Sequence, residues 1–147
     1  MTTAIPVNGQ IIGMAHYATR AVLERLLATT GTTFHQSVAL TATADKGGTI
    51  ERRQLVERMT GAVKLDVSVV EQTLSELTSA GLLEEQPGDR PLPALTAAGE
   101  ALERDHRTGV ARATAALYAD LPAEDLATAG RVLTEVTARA NAVLATG

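Results

Sequence analysis

Cysteine is absent from this 147-residue chain. Its absence excludes disulfides, thiolate zinc sites, iron–sulfur clusters and cysteine nucleophiles, and it fits a reducing compartment. Tryptophan is also missing, and the aromatic side chains are Tyr17, Phe34 and Tyr118 alone. A core must then be assembled from Ala, Leu, Val and Ile, a palette that favours packed helices over sandwiches and barrels. No apolar run approaches the ~20 residues that a bilayer-spanning helix needs. The opening Met1-Thr-Thr-Ala-Ile-Pro6 lacks the basic and apolar regions of a signal peptide, so a cytoplasmic protein without membrane contact is expected. Cations are in the minority, 13 Lys and Arg against 17 Asp and Glu, for a net charge of −4. With 45% hydrophobic residues the chain can still bury a core, which excludes an acidic disordered polypeptide. The length predicts one domain over residues 1–147.

Catalytic patterns are missing as well. There is no G-x-S-x-G, H-E-x-x-H or Walker A run, and no G-x-G-x-x-G following a strand. Glu100, Glu103 and Asp105 are expected on an exposed helix surface, and nothing activates Ser37, Ser68, Ser75 or Ser79 as a nucleophile. His16, His35 and His106 show no i, i+3 or i+4 spacing that would set two metal ligands on one helical turn. No enzyme, no metal site and no cofactor are expected.

What the sequence does contain is helical periodicity. Ile11, Ala15, Ala18, Val22 and Leu26 form one stripe over residues 8–28, ended by Thr29-Thr30-Gly31-Thr32. A second helix is predicted from about Thr33 to Ala44, followed by an Asp45-Lys46-Gly47-Gly48 turn. A short helix over 51–60 turns Leu55 and Met59 inward. Next, Val67, Val70, Leu74 and Leu77 define an amphipathic helix that starts at Asp66 or Ser68, with Gly81 at its C-cap. Leu82–Glu85 and Leu92–Leu95 flank Pro87-Gly-Asp-Arg-Pro91 as a hairpin. Pro91 and Pro93 predict an edge position for the return strand, because proline has no N–H to donate. Thr96 caps a long helix over 97–119, and Pro122 opens a last one with its stripe on Leu126, Leu133, Val136 and Val143.

A short helix, a turn, an amphipathic helix and a hairpin make a winged helix-turn-helix, here set between long helices. Three stretches carry a resemblance: Ile50-Glu-Arg-Arg-Gln-Leu-Val-Glu-Arg-Met59, then Ser68–Leu77 with Ala80-Gly81-Leu82, then Asp89-Arg90 with Leu95-Thr-Ala-Ala-Gly99. In this order and spacing they resemble the MarR (multiple antibiotic resistance regulator) family of bacterial transcription factors, as does the tail Leu121-Pro-Ala-Glu-Asp-Leu126. The resemblance implies a mainly α fold with a small β-hairpin wing, its module at 33–95, and dimerisation helices at 1–30 and 97–147. It implies a homodimeric, ligand-responsive repressor on a pseudo-palindromic operator of double-stranded DNA, with two recognition helices in successive major grooves.

The DNA contacts it implies are Arg52, Arg53 and Lys64 before the recognition helix; Ser68, Glu71, Gln72, Thr73 and Ser75 on it; and Arg90 in the wing. Gln72 suits adenine and Glu71 the cytosine amino group. The charges are unusual for this purpose. Asp66, Glu71, Glu76, Glu84, Glu85 and Asp89 oppose Arg90 alone, −5 over residues 66–90. Residues 45–64 sum to +2, from Lys46, Arg52, Arg53, Arg58 and Lys64 against Asp45, Glu51 and Glu57. Relatives commonly carry an arginine at the position of Gln72 or Glu76, and this helix has none. An alternative is therefore a winged-helix protein with weak or lost DNA binding, acting through a ligand or protein partner. A small aromatic ligand is expected among His16, Tyr17, Phe34, His35 and Tyr118, where the family binds such molecules.

Overall fold

The computed structural model describes residues 3–147. Met1 and Thr2, with which the expected 1–30 helical segment begins, lie outside the described residues. The elements run α1 (Gly9–Ala28), α2 (Phe34–Asp45), α3 (Arg52–Gly61), α4 (Val67–Ser79), β1 (Leu83–Gln86), β2 (Leu92–Leu95), α5 (Ala97–Tyr118) and α6 (Ala123–Ala145). The chain divides into two compact units, Met1–Ala111 and Arg112–Gly147, where its length suggested one. The second unit buries none of its residues. It therefore has no core of its own.

Local chemistry accounts for the helix ends. The Asn8 side chain accepts from the Ile11 N–H at 2.9 Å. Thr33 and Gln36 form a capping box that opens α2. At the end of α4, Gly81 adopts φ +75°. The Leu82 N–H bonds back to the Leu77 carbonyl at 2.9 Å and the Gly81 N–H to Thr78 at 3.1 Å, the Schellman pattern that glycine permits. Thr96 caps α5 by accepting from the Gly99 N–H at 3.0 Å, while its hydroxyl donates to the Gly81 carbonyl at 2.6 Å. The end of α4 and the start of α5 are thus sewn together.

The core lies in the first unit, where α2, α3, α4 and the hairpin meet. It comprises Ala39, Leu40, Ala42, Ile50, Leu55, Met59, Val70, Leu74, Leu77, Leu83 and Leu95, without a single aromatic ring. Burying one Leu or Met side chain of this kind stabilises by roughly 1.5–3 kcal/mol. Thr43 and Thr73 share this interior by donating to carbonyls four residues back, Ala39 and Val69, each at 2.8 Å.

The hairpin pairs Leu83 with Leu95 and Gln86 with Leu92. Contrary to the sequence expectation, β2 is not an edge. Its other side is bonded by the Ile50 N–H to the Pro93 carbonyl at 3.0 Å, the Arg52 N–H to the Pro91 carbonyl at 3.3 Å, and the Leu95 N–H to the Gly48 carbonyl at 2.9 Å. Proline loses only its donor. At 91 and 93 the neighbouring segment supplies the donors, so Pro93 is accommodated between two partners.

Two further expectations are corrected. Glu103 is buried, not on an exposed face, and its carboxylate receives the Arg107 guanidinium at 2.7 Å. Arg107 also reaches Asp45 at 3.4 Å, and Asp45 receives Arg58 at 2.9 Å, so a charged ladder joins α5, α2 and α3. The hydrogen bond from Arg58 holds the Asp45 carboxyl below its usual range, helped by Arg107 and opposed by burial. That contribution is complete above the ordinary carboxylate range and is lost as pH falls through the lowered one. His106 is also buried, its Nε2 lying 2.8 Å from the Thr30 hydroxyl. Burial pushes its imidazole below the usual range, against the pull of Asp105 and Glu103. In α1 only Leu27 is buried, and the expected stripe leaves Ile11, Ala15 and Ala18 exposed.

Gly99 is the tightest point. A Cβ there would lie 2.1 Å from the Leu82 carbonyl oxygen, which is held by the Thr96 N–H at 3.2 Å. Gly99→Ala is expected to destabilise by about 1–3 kcal/mol or more, because backbone must move. Gly61→Ala, whose Cβ meets nothing within 4 Å, is expected to leave stability unchanged or slightly raised. Urea unfolding of the three proteins, compared at equal slope, checks both.

Candidate nucleic-acid interface

The bonds from Ile50 to Pro93 and from Arg52 to Pro91 bring the first turn of α3 against the hairpin. Arg52 then reaches two other elements. Its Nη2 donates to the Glu71 carboxylate on α4 and its Nη1 to Glu85 on β1, the latter at 3.4 Å. One guanidinium thus ties together α3, the amphipathic helix and the wing. Arg53 is turned to solvent, its side chain 87% exposed beside Glu57 at 3.0 Å. Arg90, in the turn between the strands, is exposed as well. Arg52, Arg53, Glu71 and Arg90 border one hollow of about 570 Å³ with Glu51, Val56, Glu57 and Pro91. Four residues singled out from sequence are therefore brought together, with three cations balanced by three carboxylates.

Along α4, Ser68, Glu71, Gln72 and Ser75 are exposed as expected. Two neighbours exchange roles. Val67, expected in the apolar stripe, is 56% exposed, whereas Thr73, expected at the DNA surface, is 2% exposed. Thr73 packs like valine because its hydroxyl is satisfied within the helix by Val69. The buried stripe is Val70, Thr73, Leu74 and Leu77. Lys64 lies in the turn before α4 with φ +61°, a left-handed conformation uncommon for a side-chain-bearing residue. Sequence reasoning missed Glu85 as a partner of Arg52. Thirty-three residues separate them, and no periodicity carries such a pairing.

The candidate ligand residues of the first unit do not share one wall. Phe34 and His35 line a hollow of about 340 Å³ with Arg20, Glu24, Thr32 and Thr33, and the Arg20 guanidinium sits 4.2 Å above the Phe34 ring. His16 and Tyr17 stack edge to face at 5.3 Å but are not among those walls. Tyr17 is 70% exposed, and Tyr118, in the second unit, is exposed too. Among the described residues no three His, Asp or Glu side chains come together as a metal site. No helix among them is long and apolar enough to cross a membrane.

No family model matches this sequence, and no curated protein does. Solved structures match over most of its length. A mutant of E. coli MarR complexed with operator DNA is 22% identical, covering 87% of this chain and 91% of that one, with a TM-score of 0.73. The PcaV transcriptional regulator from Streptomyces coelicolor, in complex with its natural ligand, is 26% identical over 95% of this chain and 99% of that one, TM-score 0.68. The fold is that of the MarR family. CouR from Rhodococcus jostii, bound to p-coumaroyl-CoA, shares this MarR fold at a TM-score of 0.76 and 17% identity, over 88% of this chain and 90% of that one. In this winged-helix fold α4 stands as the second helix of the helix-turn-helix and β1–β2 as the wing. These neighbours are transcriptional regulators, not enzymes.

Arg52 and its two partners are each a third to a half exposed, so solvent keeps the ion pairs to about 0.2–1 kcal/mol. Their effect is on position, since one guanidinium links α3, α4 and β1 at the surface, outside the apolar core these elements share. Arg52→Ala is expected to speed amide exchange of residues 83–95 several-fold while lowering global stability by no more than about 1 kcal/mol. Hydrogen exchange followed by mass spectrometry, alongside urea unfolding, measures both. Unchanged exchange in the wing would show that Arg52 does not hold it.

Proposed function

We propose that the protein is a homodimeric, ligand-responsive DNA-binding transcriptional repressor that works in the cytoplasm. The observation that carries this reading is the exposed, uncharged row of Ser68, Gln72 and Ser75 on α4, with Arg90 exposed in the neighbouring wing. Gln72 suits adenine in the major groove, while Arg90 and Arg53 neutralise phosphates. Arg52 and Glu71, expected on DNA, are engaged with one another and hold the recognition helix and wing. Lys64 stands at the approach to that helix and Ser68 in its first turn.

Dimerisation is supported by apolar surface left open on the terminal helices. Met14 and Tyr17 on α1, and Leu133, Val136, Val143 and Leu144 on α6, are all exposed. A 23-residue helix with an apolar stripe and no buried residue needs a partner to cover it. A ligand is supported by the hollow beside Phe34. Its arginine, ring and imidazole suit a small aromatic acid, with the guanidinium meeting the carboxylate. Such a ligand regulates by favouring one of two arrangements of the reading helices.

The second reading, a partner-binding protein without duplex affinity, draws on the acidic surface and on the commitment of Arg52. Anisotropy titrations of the full chain on a duplex selected from a random pool, and on its scrambled counterpart, separate the two. Arg90→Ala is expected to weaken both duplexes and lower the salt slope by about one. Gln72→Ala is expected to cost ~1–3 kcal/mol on the selected site alone, at an unchanged slope. Absence of binding even at low salt would favour the second reading. For the dimer, light scattering at micromolar concentration is expected to give twice the chain mass, and a monomer would refute it.

A further inference from the structure

Val67 is the first residue of the recognition helix and is 56% exposed. It takes no part in the apolar core. The helix is preceded by Asp66 at the N-cap, so the apolar pair that fixes such a helix entrance is Leu65 with Val70. Both of these pack in or against the core. A β-branched side chain at an exposed helical position also contributes nothing to helix stability. The surrounding surface is short of strong readers. α4 carries no Lys or Arg, Glu71 is bonded to Arg52, and Ser68, Gln72 and Ser75 remain.

We propose that Val67 determines sequence preference by packing its isopropyl group on the 5-methyl group of a thymine in the major groove. The proposal rests on the regulator reading above and names the base that this end of the helix selects. The N-terminal residues of a recognition helix meet base edges first, and thymine alone of the four bases offers a methyl group there. Cytosine at the same position presents an amino donor that valine leaves unpaired. Apolar contact releases no counterions, so it is available to a surface whose acidic charge makes phosphate binding poor.

The test uses the full chain and its selected duplex, with each thymine replaced in turn by uracil, which removes only the methyl group. One thymine per half-site is expected whose replacement weakens wild-type binding about fourfold, the effect of one methyl group leaving an apolar contact. Val67→Ala is expected to bind the thymine and uracil duplexes alike, with the wild-type salt slope. Val67→Thr, which keeps the branched shape and one methyl, is expected to retain part of the discrimination. Thermal melts of both variants at the wild-type midpoint establish that folding is intact. If no thymine matters, or if one matters equally to wild type and Val67→Ala, the proposal is overturned while sequence-selective binding upholds the regulator reading. If the wild type prefers no duplex over another, both fall.

Discussion

The return strand β2 is bonded on both sides although it carries Pro93 and follows Pro91, and the arrangement of the module follows from that. Pro91 and Pro93 offer carbonyls and no donors on the side where the Gly48–Arg52 segment runs. That segment meets them with the N–H groups of Ile50 and Arg52. The strand is protected from pairing with another chain by this segment and not by being left at an edge. Because the bonds are made by the residues that lead into α3, they also set where α3 begins. Arg52 is thereby delivered to a point from which it reaches both Glu71 and Glu85.

The other end of the hairpin is held by a close approach. Thr96 and Gly99 bring the start of α5 onto the Gly81–Leu82 link, with a glycine where no Cβ fits. Farther along α5, the ladder Glu103–Arg107–Asp45–Arg58 and the His106–Thr30 bond join the same helix to α2, α3 and the loop after α1. Buried Glu103 and His106 are both satisfied, and no buried side-chain polar atom among the described residues lacks a partner. Polar contacts around an aliphatic core thus hold the hairpin and helices in one register.

The electrostatics of the proposed interface differ from those of a strongly basic DNA binder. Three guanidinium groups border the hollow beside the wing, but Arg52 is neutralised internally and Arg53 is shared with Glu57. Arg90 has no other cation within residues 66–90. On the proposed reading such a surface gains little from phosphate neutralisation, so duplex affinity depends more on short-range contacts.

Much of the fold was legible from local rules. Helix stripes of period near 3.6, the threonine caps, Gly81 after α4 and the Leu-Thr-Ala-Ala-Gly99 run each act through neighbours a few residues away, so the sequence displays them directly. Where it misled, the outcome depended on contacts between distant segments. Val67 and Thr73 changed places because the side chain that faces the core depends on how α4 is rolled against α2 and α3, and a threonine can satisfy its own hydroxyl. Pro91 and Pro93 read as an edge because the Gly48–Arg52 segment has no strand periodicity to announce it. The pairing of Arg52 with Glu71 was not legible because a charge in a sequence looks free. Whether it is free depends on what folding sets beside it, and Glu85 comes from an element 33 residues away.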